Sequence, residues 1–181
     1  MFANSANSET TRAIRVLGID PGLTRCGYAV IEGKGMGSVR AVSMGVIRTS
    51  PSDSLASRLA ALRLEFTSLI AEFKPDAVAV EQVFFQANVR TAMATAQASG
   101  LALAEAALAG CEVIQYTPNQ VKDAVAGWGG AGKDQVQKMV QARLKLTALP
   151  EPADAADAAA IALTHLAMSP IGRQLRQAAS S

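Results

Sequence analysis

Val16-Leu17-Gly18-Ile19-Asp20, followed by Pro21-Gly22, is the stretch on which the fold turns. An apolar run beginning at Ile14 meets a carboxylate and then a turn-forming pair, which predicts a buried strand that ends at Asp20. An acid fixed where such a strand emerges stands beside a low-dielectric core. That is costly unless something positive sits there. The pattern recurs at Ala77-Val78-Ala79-Val80-Glu81, and Asp154 and Asp157 open an alanine-rich helix. A divalent metal is the cation that such a set of acids suits best.

Working outward from Asp20, Cys26 to Glu32 predicts a second strand and Val39 to Arg48 a third, with a glycine-rich turn from Gly33 to Gly37 between them. Three strands joined by short turns make an antiparallel meander. Leu55, Leu59, Leu62, Phe66, Leu69, Ile70 and Phe73 then recur at three- and four-residue spacing, predicting a helix capped by Asp53 or Ser54 and ended by Pro75. Ala77 to Glu81 is a fourth strand, Val89 to Ala109 a helix stopped by Gly110, and Glu112 to Tyr116 a fifth strand. That alternation implies parallel crossovers. Further helices are predicted over Pro118 to Ala126, Lys133 to Leu146 and Ala153 to Met168. The expected fold is α/β, a mixed five-stranded sheet of three antiparallel and two parallel strands with helices on both faces. The expected boundaries are a disordered arm over 1–12, one domain over 13–168 and a flexible tail over 169–181.

The chain has 181 residues, half of them apolar, enough for one core of good size. Its net charge of +2 allows a nucleic-acid partner but is too small for binding by bulk electrostatics alone. No stretch is apolar enough for long enough to span a bilayer, and the first residues lack the pattern of a secretory signal, so a cytoplasmic location is expected. Cys26 and Cys111 show no ligand spacing and read as free thiols.

Taken singly, each acid has a structural explanation: Asp20 as a turn residue, Glu81 as a paired strand end, Asp154 and Asp157 as favourable first-turn charges. Together they are harder to dismiss. Strands one and four are natural neighbours, so Asp20 and Glu81 would exit side by side, and unpaired like charges there repel. Oxygen donors without His or Cys select Mg²⁺ or Mn²⁺, and two ions roughly 4 Å apart suit attack of water on a phosphodiester. His165, within an apolar helical run, reads as a core or interface residue. The loop Gly127-Trp128-Gly129-Gly130-Ala131-Gly132 lacks the spacing of a Walker phosphate loop and reads as a DNA-facing loop or a connector. Lys122 and Lys133 flank it and could bind phosphate. Phe84 and Phe85 read as core or as rings able to stack on an unpaired base. The small residues of Val89 to Ala109 suit a tight seat on the sheet or a contact with a second copy.

Leu17-Gly18-Ile19-Asp20-Pro21-Gly22 with Gly27-Tyr28, Ala79-Val80-Glu81-Gln82-Val83-Phe84, Gln120-Val121-Lys122 with Lys133, and Ala153-Asp154-Ala155-Ala156-Asp157-Ala158 stand in an order that closely resembles the RuvC family of Holliday junction resolvases. The resemblance runs from about Ile14 to Met168. It implies an RNase H-like nuclease domain in which Asp20, Glu81, Asp154 and Asp157 are the catalytic, metal-binding acids. It also implies that Phe84 touches a base near the crossover and that Lys122 and Lys133 contact DNA. By the same resemblance the protein is a homodimer that nicks four-way junction DNA symmetrically, leaving 5′-phosphate and 3′-hydroxyl ends, with Mg²⁺ or Mn²⁺, two per active site. Its implied partner is a branch-migration motor of the RuvA and RuvB type. The polar N-terminal arm and the short tail with few basic residues depart from the family pattern. Two other readings stay open at this level. Gly18-Ile19-Asp20-Pro21-Gly22 loosely fits the first phosphate loop of sugar kinases and actin-like proteins, though 181 residues leave little room for their second domain. A junction-binding module without catalysis should have lost at least one acid.

Overall fold

The structure is a computed structural model that describes residues 12–34, 38–83 and 89–169. Strands β1 (Ile14–Asp20), β2 (Arg25–Gly33) and β3 (Val39–Arg48) are followed by helix α1 (Leu55–Phe73), strand β4 (Ala77–Glu81), helix α2 (Val89–Leu108) and strand β5 (Glu112–Tyr116). Helices α3 (Pro118–Ala126), α4 (Lys133–Leu144) and α5 (Ala153–Met168) complete the elements of the described residues. The strands form one sheet in the order β3-β2-β1-β4-β5. β1 runs antiparallel to β2 and parallel to β4, and β4 runs parallel to β5.

Both faces of the sheet are covered, which explains why the central strands are apolar throughout. Leu17, Ile19, Val30, Val78 and Val80 point into a core shared with Leu62 and Phe66 of α1 and Ala98, Ala102 and Ala106 of α2. Val16, Ala29, Ile31 and Ala79 point the other way, against α3, α4 and the fully buried Ile161, Leu163 and Leu166 of α5. The alternation of faces along β1 is the two-residue period of an extended chain. Part of the small-residue surface of α2 is thus a seat on the sheet. Glu105 reinforces the α1 contact by accepting hydrogen bonds from Arg63 Nε at 2.7 Å and Thr67 Oγ1 at 2.8 Å.

Two glycines set how closely α5 lies on the sheet. A Cβ at Gly18 would stand 2.2 Å from the Ala158 carbonyl oxygen, and one at Gly27 would stand 2.1 Å from that of Asp154. Neither gap admits a side chain. The alanine surface of α5 therefore rests on bare backbone, and its first turn is held against the ends of β1 and β2. That places the acids of α5 beside the acid of β1.

Most element limits agree with the sequence pattern, and the exceptions have local causes. β2 extends one residue at each end beyond Cys26 and Glu32, because Arg25 and Gly33 pair with Arg48 and Val39 of β3. α1 takes Ser54, not Asp53, as its cap: the Ser54 hydroxyl accepts the Ser57 amide at 3.2 Å. α4 stops at Leu144 rather than Leu146, since Lys145 takes a left-handed φ of 53° and its amide turns back onto the Ala142 carbonyl at 3.3 Å. Among the described residues no helix is long and apolar enough to cross a membrane.

Candidate active site

Asp20 and Glu81 are the last residues of β1 and β4, and the register Ile19↔Val80 makes them neighbours across a parallel pair. Together with Asp157 from the first turns of α5 they line a cavity of about 470 Å³. Its other wall is built by Pro118, Val121 and Lys122 of α3 and by Ala131, Gly132, Lys133 and Val136 at the start of α4. α3 is locked at its entry by a capping box. The Thr117 hydroxyl accepts the Gln120 amide at 3.2 Å and the Gln120 side chain accepts the Thr117 amide at 2.9 Å. A well-anchored α3 fixes the root of Lys122.

Burial and neighbouring carboxylates act on both strand acids. Asp20 is pushed up to about 7, first by burial and then by the charges of Glu81, Asp157 and Asp154, with Lys133 opposing. Glu81 is also raised, by burial first and Asp157 next, against Lys133 and Lys122. Among the described residues neither carboxylate accepts a hydrogen bond from a side chain. The helix acids differ. Asp154 binds the Arg25 guanidinium, with Arg25 Nε 3.1 Å from Oδ2, and this pairing holds its carboxyl below the usual range. Asp157 accepts Lys133 Nζ at 2.6 Å, and the contact raises the lysine.

Asp154 thus stands off the cavity lining while Asp157, three positions on along the same helix, stands on it. Among the described residues no three acidic, histidine or cysteine side chains are arranged as they stand to hold an ion. Both helix carboxylates are paired with cations. The donor set itself fits a hard divalent ion. It is all oxygen, part of it is desolvated, and among the described residues its strand half has no side-chain donor.

Lys122 and Lys133 both reach the cavity. Phe84 lies outside the described residues, as do the ends 1–11 and 170–181. His165 is a core residue whose Nδ1 is 3.1 Å from the Tyr116 hydroxyl, and burial lowers its pKa. Arg25 is the functional neighbour that sequence reasoning missed. A signal was present: Arg25 and Gly27 are two apart on β2 and so share a face, the one on which the first turn of α5 lies.

A mixed sheet in this order, with helices on both faces, is the fold of the RNase H-like nucleases. Residues 16–165 match the family described as crossover junction endodeoxyribonuclease RuvC. A protein of that description from Salinispora arenicola is 53% identical over 153 residues, covering 84% of this chain and 87% of its own length. One from a Parafrankia strain is 50% identical over 165 residues, covering 91% and 93%. Thermus thermophilus RuvC, solved in complex with Holliday junction substrate, superposes with a TM-score of 0.80 at 40% identity over 84% of this chain and 92% of that one. The yeast mitochondrial Holliday junction resolvase Ydc2, at 15% identity and a TM-score of 0.68, shares the fold. The chain belongs to the RuvC family of crossover junction endodeoxyribonucleases.

Proposed function

We propose that this chain resolves four-way DNA junctions as a cytoplasmic homodimer, using Asp20, Glu81, Asp154 and Asp157 to hold two Mg²⁺ or Mn²⁺ ions per active site. The observation that supports this most is the desolvated Asp20–Glu81 pair, which lines one cavity together with Asp157. Two neighbouring carboxylates, buried and with no side-chain donor among the described residues, are held at a cost that a divalent cation would remove. Bound ions would supply an activated water and neutralise the leaving oxyanion.

The residues of the chain do the rest. Asp20 and Glu81, fixed by the sheet, set the position of the ion site. Asp154 and Asp157 would complete the donor set by leaving Arg25 and Lys133, and the second exchange would free the Lys133 ammonium on the cavity wall. Lys133, released from Asp157, and Lys122, across the cavity, would hold the phosphate backbone and screen it from the acids. Phe84 would contact a base at the crossover. Two sites in a symmetric pair of chains would nick two strands of like polarity, in partnership with a branch-migration motor of the RuvA and RuvB type.

The test is incubation of a synthetic mobile four-way junction and a matched linear duplex with Mg²⁺, Mn²⁺ or chelator. Paired nicks in the junction alone, only with metal, are expected. Equal cutting of the duplex, or cutting in chelator, would contradict the reading.

A further inference from the structure

Trp128 is the chain's single tryptophan, and it is 54% exposed on the loop between α3 and α4. Leaving a side chain of this size in water is unfavourable, so its surroundings bear on its purpose. The loop is closed at both ends: Gly127 caps α3 in a left-handed conformation with φ 90°, and Gly132 caps the start of α4. Between them the Ala131 amide donates to the Trp128 carbonyl at 3.2 Å, a tight turn. The ring itself is seated. A Cβ at Gly130 would stand 2.2 Å from Trp128 Cζ3 and 2.7 Å from Cε3, so the six-membered ring lies directly over a residue with no side chain. That contact covers part of the indole and leaves over half of the residue in solvent.

The position is as informative as the seat. Three residues beyond the ring, Ala131, Gly132 and Lys133 form one wall of the cavity that holds Asp20, Glu81 and Asp157, and Lys122 stands on the same rim. An exposed aromatic ring on the loop that leads directly into the lysine-bearing wall of an acidic cavity matches the chemistry of an unstacked nucleotide: a flat base for the ring, phosphates for the ammonium groups. A continuous duplex offers no such base. A four-way junction offers unstacked ones at its centre.

We propose that Trp128 is a base-stacking residue that recognises an unpaired base at the branch point of the DNA substrate, seated for that purpose by Gly130. The inference rests on the junction-cleaving function proposed above. Stacking adds affinity for the branched substrate and none for a plain duplex, so the loop contributes selectivity rather than bulk binding.

The single indole makes the test direct. The full-length chain is titrated with a four-way junction and with a duplex of the same length, in Ca²⁺ so that no strand is cut, while tryptophan emission and affinity are followed. The junction should quench emission by more than about half and the duplex should leave it nearly unchanged. Trp128→Ala should weaken junction binding roughly 5- to 100-fold with duplex binding altered less than about twofold, and Trp128→Phe should recover most of the loss. Gly130→Ala, which displaces the ring without removing it, should weaken junction binding and diminish the quenching. Unchanged emission on a bound junction, or a Trp128→Ala variant that loses junction and duplex affinity equally, overturns the proposal. Failure of the wild-type chain to prefer the junction at all would instead sink the junction reading, so the two failures are distinct.

Discussion

The strand-borne and helix-borne carboxylates of the cavity are the same chemical group in opposite electrostatic states. Asp20 and Glu81 grow out of the sheet, where the backbone ladder leaves little freedom and, among the described residues, no side-chain donor reaches them; both are raised, first by burial and then by neighbouring carboxylates. Asp154 and Asp157 sit in the first turns of α5, and each has found a cation, Arg25 or Lys133. Rigid acids are strained by their surroundings, whereas movable acids have relieved themselves. In the proposed metal-bound state the strand acids would form a fixed half of the site and the helix acids an adjustable half, freed from Arg25 and Lys133.

The largest effect that could break this contrast is on catalysis. Asp20→Asn and Glu81→Gln each remove a fixed donor, and junction cleavage should fall by roughly 10³-fold or more, the equivalent of several kcal/mol of lost charge stabilisation. Junction binding, which rests on cations and shape, should stay within a few-fold, as gel-shift titration would show. Parental cleavage rates in either variant would remove the strand acids from the chemistry.

Stability should separate the two halves next. Asp20 takes up its proton near pH 7 when folded and at 3.8 in its unperturbed form. The folded state therefore binds that proton more tightly, and stability drops as pH rises from about 4 to 7. At pH 8 in chelator the full penalty is present. Asp20→Asn should then stabilise the protein by about 2–4 kcal/mol, read as a higher melting temperature. Asp154→Asn, which loses a partly exposed ion pair, should instead cost about 0–1 kcal/mol. Destabilisation by both would erase the distinction.

A smaller effect sharpens it. Arg25 competes with any cation for Asp154, so Arg25→Gln should tighten Mn²⁺ binding by roughly three- to tenfold in calorimetric titration, the scale of one partly exposed ion pair and one removed charge. Weaker binding would mean that Arg25 supports the site instead of restraining it.

How much of this was legible in the residues follows the same division. Asp20 and Glu81 could be read because an apolar run that ends in an acid defines both the strand and the position of its last side chain. The neighbouring exits of β1 and β4 followed from the order of elements alone, and the register bears that out. The gathering of Asp157 with them was expected from the start of an alanine-rich helix. The split between Asp154 and Asp157 was not visible, because it depends on Arg25, 129 residues distant in the chain and one of 17 lysines and arginines. Gly18 and Gly27 likewise carried no label as contact points for α5. Their role exists only where backbone meets backbone across the fold. Pairings of long, flexible side chains and close backbone approaches are tertiary facts, and local pattern does not encode them.

The claim that the strand acids are held in a state that only a cation relieves is tested most directly by counting protons. Mg²⁺ or Mn²⁺ binding is measured by calorimetry in buffers of different ionisation enthalpy at pH 6 and pH 8. With Asp20 titrating at about 7, binding should release close to one proton at pH 6 and nearly none at pH 8, and Asp20→Asn should abolish the difference. Metal binding that releases no proton at either pH would contradict the account.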